Sequence, residues 1–222
     1  NSVLLAGGTA TVDGNVNNDA AGTIEVAHGH ATFNSSVVNN GLFKTTEASV
    51  SFAASFTNNG TYFSDPSTQY FTDLIVGETG KLVGLEPGDV FSVSGDFLNS
   101  SLENMAWNTW SAVLQFVQGT DTDHLMTLAG TDLGASLLGY TDNFAWGYFD
   151  IASIAVITLL DGNTQNAGTA LYTEVLTGIL FDQGMVSNLK GDMNVYYLAD
   201  LTENAYLGGL DYDFLDGSGR LI

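Results

Sequence analysis

The chain has 222 residues and is strongly acidic, with 25 acidic and 4 basic residues and a formal net charge of -21. This charge repels nucleic-acid phosphates and anionic lipid headgroups, so we expect no nucleic-acid partner. The absence of cysteine excludes disulfides and thiolate metal sites. Hydrophobic residues make up 45% of the chain, enough for a sizeable core. The longest apolar stretch, 151–160, is too short for a membrane span.

The first hundred residues repeat a pattern of turns and short strands. The turns recur roughly every twenty residues, which is the length of a solenoid coil. They lie at Asn17-Asn18, Asn39-Asn40, Asn58-Asn59 and Asn99-Ser100, with Gly77-Glu78-Thr79-Gly80 before the last of them. The segments between the turns alternate apolar with small or polar residues, which predicts strands. These segments are 23–26, 31–33, 37–38, 49–52 and 90–93.

This repeat predicts a parallel β-helix or a similar β-solenoid over residues 1–101, with strands of neighbouring coils about 4.8 Å apart. Asparagines at equivalent positions of successive coils should form an amide ladder, and asparagine and glycine should supply left-handed corners. The alternative is a β-sandwich in which Asn40-Gly41 and Asn59-Gly60 close hairpins. The residues expected to point inward are Ile24, Phe33, Val38, Phe43, Phe52 and Phe56.

The pattern changes near Leu102, beyond which all three tryptophans lie. Longer alternating runs predict strands at 112–117, 125–128, 144–150, 154–160, 170–176 and 194–198. Residues 200–207 have helical spacing before Gly208-Gly209, which predicts one short helix, and 210–222 should form a last strand pair around Asp216-Gly217. We therefore expect residues 102–222 to form a C-terminal β module, either separate from the solenoid or continuous with it.

The C-terminal half also contains a series of aromatic and glycine-rich motifs. They are Phe144-Ala145-Trp146-Gly147, Leu159-Leu160-Asp161-Gly162-Asn163, Ala170-Leu171-Tyr172, Asn194-Val195-Tyr196-Tyr197, Asn204-Ala205-Tyr206-Leu207-Gly208-Gly209 and Gly217-Ser218-Gly219-Arg220-Leu221. With these motifs the chain resembles bacterial exported proteins of the PEP-CTERM type, which are sorted by an exosortase. The resemblance implies export to the cell surface or into the biofilm matrix, and it implies no catalytic residues. Since no signal peptide begins this sequence, an exported chain is expected to be the processed form.

Two groups of polar side chains are candidate metal ligands. His28 and His30 would share one face of a strand, with Glu25 or His124 as a third ligand. Acidic turns offer the oxygen ligands that calcium prefers, although none matches an EF-hand or a calcium-binding nonapeptide. Solvated surface side chains are the alternative for both groups, so no cofactor is required and calcium is the one candidate ion. The candidate calcium ligands are Asp121, Asp123, Asp161, Asn163, Asp211 and Asp213.

Common enzyme signatures are absent from the sequence, which contains no G-x-S-x-G elbow, no H-E-x-x-H motif and no phosphate-binding loop. Basic residues of the kind that a polysaccharide lyase uses are scarce, whereas carboxylates for glycoside hydrolysis are abundant. We therefore predict that the chain is not an enzyme. Carbohydrate binding is a closer competitor, since aromatic side chains stack on sugars unless they pack in the core. The candidates are Tyr62, Tyr70, Trp107, Trp110 and Tyr140.

The chain termini are candidates for an assembly interface. The first eight residues contain no Lys, Pro or acidic residue, and such residues are what protects a sheet edge from pairing. We expect Val3, Leu4 and Leu5 of one copy to meet Leu221 and Ile222 of the next, joining copies head to tail by strand pairing. A monomer with frayed ends is the alternative.

The function predicted is that of a secreted structural protein, a filament or biofilm-matrix subunit at the cell surface. Its expected partners are copies of itself and, second, an extracellular polysaccharide. A surface adhesin or carbohydrate-binding module is the first alternative. A β-helical polysaccharide-degrading enzyme is a remote one.

Overall fold

The chain folds as a parallel β-solenoid, which confirms the predicted fold class. The computed structural model describes residues 2–119, 122–152, 154–162 and 168–222. About nine coils follow one another, about 21 residues apart. A repeat of this length cannot bury its apolar side alone, so the core exists only where one coil covers the next.

Strands dominate the fold, and the helices are short 3₁₀ segments of at most six residues. The strands are β1 (Ser2–Val12), β2 (Val16–Asn18), β3 (Thr23–Phe33), β4 (Val37–Asn39), β5 (Leu42–Thr46), β6 (Ser49–Phe52), β7 (Phe56–Asn58), β8 (Thr61–Asp65), β9 (Thr68–Phe71), β10 (Leu74–Val76), β11 (Lys81–Gly84), β12 (Val90–Val93), β13 (Phe97–Asn99), β14 (Thr109–Phe116), β15 (Asp123–Leu128), β16 (Trp146–Ile151), β17 (Val156–Asp161), β18 (Ala170–Thr177), β19 (Phe181–Asp182), β20 (Met185–Lys190), β21 (Asn194–Tyr197), β22 (Tyr212–Asp216) and β23 (Arg220–Leu221). The short 3₁₀ helices are η1 (Asn104–Ala106), η2 (Leu137–Tyr140) and η3 (Thr202–Leu207).

The strands of the first half stack in three columns. The first column holds β5, β8 and β11, the second holds β6, β9 and β12, and the third holds β2, β4, β7, β10 and β13. β1 and β3 run along the first two sides before β5 and β6 take these over. The hairpin alternative is wrong here, because Asn40-Gly41 and Asn59-Gly60 connect strands that pair in parallel with other coils.

Aromatic side chains fill the interior in columns. The rings of Phe33, Phe52 and Phe71 stack, with centroids 5.3 and 4.9 Å apart. Five of the six residues predicted to point inward are buried. The prediction for Val38 is wrong by one position, because Val37 is fully buried and Val38 is half-buried. The alternation in β4 points Val37 and Asn39 into the core, and a polar residue is tolerated there because its amide is fully paired.

The predicted amide ladder is present and buried. The side-chain amide of Asn18 donates to Oδ1 of Asn39 at 2.7 Å, and Asn39 donates to Oδ1 of Asn58 at 2.7 Å. A second ladder runs beside it at the surface in the opposite sense, from Asn59 to Asn40 and from Asn40 to Asn17, at 3.0 Å each. The buried ladder ends where Val76 takes the position that asparagine holds in the preceding coils.

The prediction that asparagine supplies left-handed corners is wrong, because no asparagine of the described residues has a positive φ angle. Within the described residues, the non-glycine residues with positive φ in the first half are His28 and Glu47, at the bend between the first two columns. Glycine follows the asparagines for a different reason, which is close stacking. A Cβ on Gly41 would lie 2.3 Å from the carbonyl oxygen of Gly22, and one on Gly60 would lie 2.1 Å from that of Gly41.

Parallel stacking continues beyond Leu102. One column runs from β12 through β14, β16, β18 and β21 to β23, and another runs from β13 through β15, β17 and β20 to β22. The predicted helix is present as η3, which ends at Gly208 with φ 64°. The predicted final strand pair is β22 and β23, which are antiparallel. The division into solenoid repeats over residues 1–101 and a C-terminal β module over residues 102–222 stays a prediction.

Candidate functional site

The largest departure from the regular coil lies between β14 and β16. Val113 pairs with Tyr148 at this coil, whereas Leu42 pairs with Thr61 at a regular coil. The chain between two paired residues is therefore much longer between β14 and β16 than in a regular coil. Part of the extra chain, residues 129–145, forms a loop that contains η2. We call residues 129–145 the insertion loop. No repeat pattern in the sequence marks it.

Hydrogen bonds from two buried residues, Asn143 and Tyr172, support the insertion loop. The Asn143 amide donates to the carbonyl oxygens of Thr131 (3.0 Å) and Gly139 (3.2 Å), and its Oδ1 accepts from the Thr131 amide at 2.7 Å. The Tyr172 hydroxyl donates to the Gly134 carbonyl at 2.9 Å and accepts from the Leu133 amide at 2.8 Å. The Asn143 bonds join the two ends of the loop to each other, and the Tyr172 bonds tie the loop to β18 of the solenoid.

A second set of contacts anchors the insertion loop through Asp132. Its carboxylate accepts from the Tyr196 hydroxyl at 2.9 Å and from the Asn194 amide at 3.1 Å. Tyr196 stacks on Tyr172 with centroids 4.7 Å apart. Burial raises the pKa of Tyr172 to about 12, and its hydroxyl therefore keeps its proton at neutral pH.

The insertion loop and β14 enclose a surface cleft of about 240 Å³. We call it the Trp110 cleft. Trp110 is 44% exposed and meets the ring of Tyr140 edge-on, with centroids 6.4 Å apart and an interplanar angle of 90°. Asn108, Thr141 and Asp142 are exposed polar residues of the cleft lining.

The floor of the Trp110 cleft is fixed by buried groups. Trp107 is 6% exposed, and its indole nitrogen donates to Oγ1 of Thr109 at 2.8 Å. The Thr109 hydroxyl in turn donates to the Ala145 carbonyl. Asp142 and Phe144 have positive φ angles of 50° and 59°, a conformation that costs a phenylalanine free energy. The Asp142 carbonyl accepts from the Asn104 amide at 2.8 Å, which supports the strained segment.

The other aromatic candidates divide by burial. Tyr62 is fully buried and stacks on Phe43, so it belongs to the core together with Trp107. Tyr70 is 48% exposed on β9, on a different coil from the Trp110 cleft. Of the five sequence candidates, the structure therefore brings Trp110 and Tyr140 together at one cleft and leaves Tyr70 apart.

The structure also places the residues predicted for assembly. Val3 and Leu4 are 52% and 61% exposed on β1, whereas Leu5 is half-buried and packs against the core. Leu221 is completely buried, and Ile222 packs against a cluster that contains Tyr172 and Tyr196. The side chain of Leu221 is therefore unavailable to a second copy.

The two ends of the described solenoid differ in their strand edges. Among residues 2–119, 122–152, 154–162 and 168–222, β1 pairs with β3 alone, so no described strand covers its outer edge. At the other end β22 pairs with both β20 and β23, and β23 pairs with both β21 and β22. The antiparallel hairpin of β22 and β23 thus closes that end.

The candidate calcium ligands come from three separate acidic turns, and the described residues include both candidates of only one turn, Asp211 and Asp213. Asp123 and Asp161 lie at opposite ends of the paired strands β15 and β17, since Asp123 pairs with Val156 and Leu128 pairs with Asp161. Asp211 and Asp213 both bind Arg220, at 3.3 and 2.9 Å. Asp121 and Asn163 lie outside the described residues.

His28 and His30 are both exposed on β3, but among the described residues no third candidate ligand joins them. His28 sits at the bend with φ 53° and contacts Glu47 at 2.9 Å. Glu25 pairs with Lys44 at 3.1 Å instead. His124 is buried, with Nδ1 2.8 Å from the Gly95 carbonyl oxygen. Within the described ranges, no group of three or more His, Cys, Asp or Glu side chains could hold a metal ion.

A buried polar network that the sequence did not suggest lies inside the solenoid around Asp89. The Asp89 carboxylate accepts from the Ser64 hydroxyl, from the Ser67 amide at 3.0 Å and from the Glu86 amide at 3.1 Å. Gln69 donates to Oγ of Ser64 at 2.7 Å. Burial raises the pKa of Asp89, and the three donors oppose the increase only in part.

Comparisons with protein-family models, curated proteins and solved structures find no match to this chain. None of the helices in the described residues has the length and apolar character required to cross a membrane.

Proposed function

We propose that the protein is an extracellular structural protein whose solenoid pairs with a second copy through the open edge of β1. The observation that carries the proposal is the edge itself. β1 has 11 residues, contains no charged residue and no proline, and exposes Val3 and Leu4. An edge of this kind is a template for another strand.

The hairpin at the opposite end favours one way for the copies to meet. Head-to-tail growth requires a free strand edge at both ends, and the hairpin of β22 and β23 occupies that position at one end. Pairing of β1 with β1 of a second copy needs only the open end. Such a contact is isologous, with the same surface on both copies, and it closes as a two-fold dimer. The proposed unit is therefore a double-length rod rather than an open filament.

The rod has dimensions suited to a spacer or scaffold. About nine coils stacked at about 4.8 Å give a length of roughly 40 Å per copy. The net charge of -21 opposes lateral association of copies, whereas β1 contains no charged residue, which favours contact along the β1 edge. The extracellular location in this proposal is supported by the resemblance to exported surface proteins.

The experiment compares oligomeric states by size-exclusion chromatography with light scattering. The wild-type chain should be a dimer at micromolar concentration, and Leu4→Lys should be a monomer because it places a charge on the pairing edge. Leu210→Lys is the matched control, since Leu210 is 58% exposed and Leu4 is 61% exposed. The control variant should remain dimeric.

Electron microscopy of the wild type distinguishes the remaining outcomes. Rods of two subunits support the proposal. A wild type that stays monomeric, or a dimer that persists in Leu4→Lys, would overturn pairing through β1. Fibres longer than two subunits would overturn the two-fold dimer and favour head-to-tail growth.

A further inference from the structure

The Trp110 cleft has the features of a small-ligand site on the outside of the solenoid. It combines an exposed indole ring, a second ring at right angles to it and exposed polar side chains on a fixed floor. Ligand sites typically combine aromatic walls with a few polar groups in this way. We propose that the Trp110 cleft binds a neutral saccharide, whose C–H face stacks on the indole of Trp110.

The polar groups of the cleft suit the hydroxyls of a sugar. The side chain of Asp142 has acceptor oxygens, that of Thr141 both donates and accepts, and that of Asn108 has both donors and an acceptor. All three residues are exposed beside the Trp110 ring. A sugar presents hydroxyl donors and acceptors at its rim and an apolar C–H face, which matches this combination of ring and polar side chains.

Charge separates a neutral saccharide from other aromatic-stacking ligands. The residues that line the cleft include Asp142 but no Lys, Arg or His. Nucleotides, phosphorylated ligands and uronate polymers would bring negative charge to a site with no cation, on a protein of net charge -21. A neutral ligand avoids this repulsion.

The cleft is held in a fixed conformation, so binding requires little ordering of the protein. Asn143 and Asp132 tie the insertion loop to itself and to the solenoid, and Thr109 fixes the Trp107 floor. A site that is already ordered loses less conformational entropy on binding. The strained backbone at Asp142 and Phe144 maintains the shape of the cleft at a cost to stability.

The tryptophans also provide a direct readout. Trp107 and Trp146 are 6% and 1% exposed, so Trp110 is the one with a solvent-exposed ring. A ligand that stacks on Trp110 should shift the tryptophan emission of the wild type. Titration with neutral oligosaccharides, namely β-glucans, α-glucans, mannans and galactans, should identify at least one binder, and uronate oligosaccharides of equal length should bind more weakly.

Isothermal titration calorimetry with variants tests the role of the ring. Trp110→Ala should weaken binding of the best neutral oligosaccharide by about tenfold or more, and Trp110→Phe should weaken it less because a ring remains. Tyr70→Ala is the matched control, since it removes an exposed ring from another coil and should leave the affinity unchanged. Thermal unfolding of each variant verifies that it is folded.

Three outcomes would overturn the saccharide site. They are the absence of binding by any neutral oligosaccharide at millimolar concentration, an affinity that is unchanged in Trp110→Ala, and tighter binding of uronate than of neutral oligosaccharides. None of these readouts depends on pairing through β1, so the saccharide site and the proposed structural role can fail independently.

Discussion

The side chain of Asn39 donates to Oδ1 of Asn58 at 2.7 Å while its own Oδ1 accepts from Asn18 at 2.7 Å. Asn39 also donates to the Thr61 carbonyl at 3.1 Å, so the buried amide links three coils. Its neighbour Asn40 belongs to the surface ladder, where water can replace a lost partner. Adjacent residues of the same type therefore differ in energetic role.

Replacement of Asn39 by alanine should lower the free energy of unfolding by about 2–3 kcal/mol, because Asn18 and Asn58 lose a partner inside the core. Asn40→Ala should cost less than about 1 kcal/mol. Urea unfolding followed by circular dichroism measures both variants. Equal losses of unfolding free energy in the two variants would show that burial of the inner ladder does not add to its contribution to stability.

The aromatic column supplies a second comparison between neighbours. Phe71 is 1% exposed and stacks on Phe52 at 4.9 Å, whereas Tyr70 is 48% exposed. Phe71→Ala should cost about 3–5 kcal/mol through the cavity it leaves, and Tyr70→Ala should change stability by less than about 0.5 kcal/mol. Denaturant midpoints give both values. A mild effect of Phe71→Ala would mean that neighbouring coils collapse into the space.

Salt should stabilise the protein regardless of which cation the salt contains. The charge of -21 makes the folded state self-repulsive, so screening by sodium chloride should raise the melting temperature. The described residues bring no calcium ligand group together, so calcium chloride at matched ionic strength should raise it by the same amount. A larger increase with calcium, reversed by a chelator, would reveal a specific calcium site.

The repeat determined how much of the fold could be predicted. Regular spacing of asparagine and of aromatic residues predicted coils, an amide ladder and inward-facing phenylalanines, because these features recur in successive coils of the first half. It did not fix the phase within β4, where two adjacent valines left open which one points inward. Nor could it place the corners at His28 and Glu47, which share no residue type.

The candidate sites were harder to predict because they occur once. Trp110 and Tyr140 were recognised as aromatic candidates, yet nothing in the sequence indicated that the insertion loop brings their rings within 6.4 Å. Asp89 was missed entirely, since one aspartate among 25 acidic residues carries no pattern. Its burial follows from contacts with Ser64 and Ser67 on the preceding coil.

Asp89 should make part of the stability depend on pH. Burial raises its pKa in the folded state above the ordinary value of 3.8. Between these two pKa values the folded state binds more protons than the unfolded state, so stability falls as pH rises. The contribution of Asp89 is therefore present below the unfolded pKa and is lost as pH rises through the folded pKa.

Asp89→Asn removes this titration, because an asparagine side chain stays neutral at every pH. The difference in free energy of unfolding between the wild type and this variant should therefore depend on pH. The stability of the wild type relative to Asp89→Asn should increase as pH is lowered from about 7 to about 4.

Asp192→Asn is the matched control, since it removes one surface carboxylate whose pKa is lowered by hydrogen bonds from Ser218. The difference between the wild type and this control should stay constant over that range and change only below about pH 3.8, as Asp192 loses its favourable charge. Urea unfolding at each pH measures both differences. A wild-type advantage over Asp89→Asn that shrinks on acidification would mean that the hydrogen bonds from Ser64, Ser67 and Glu86 outweigh burial.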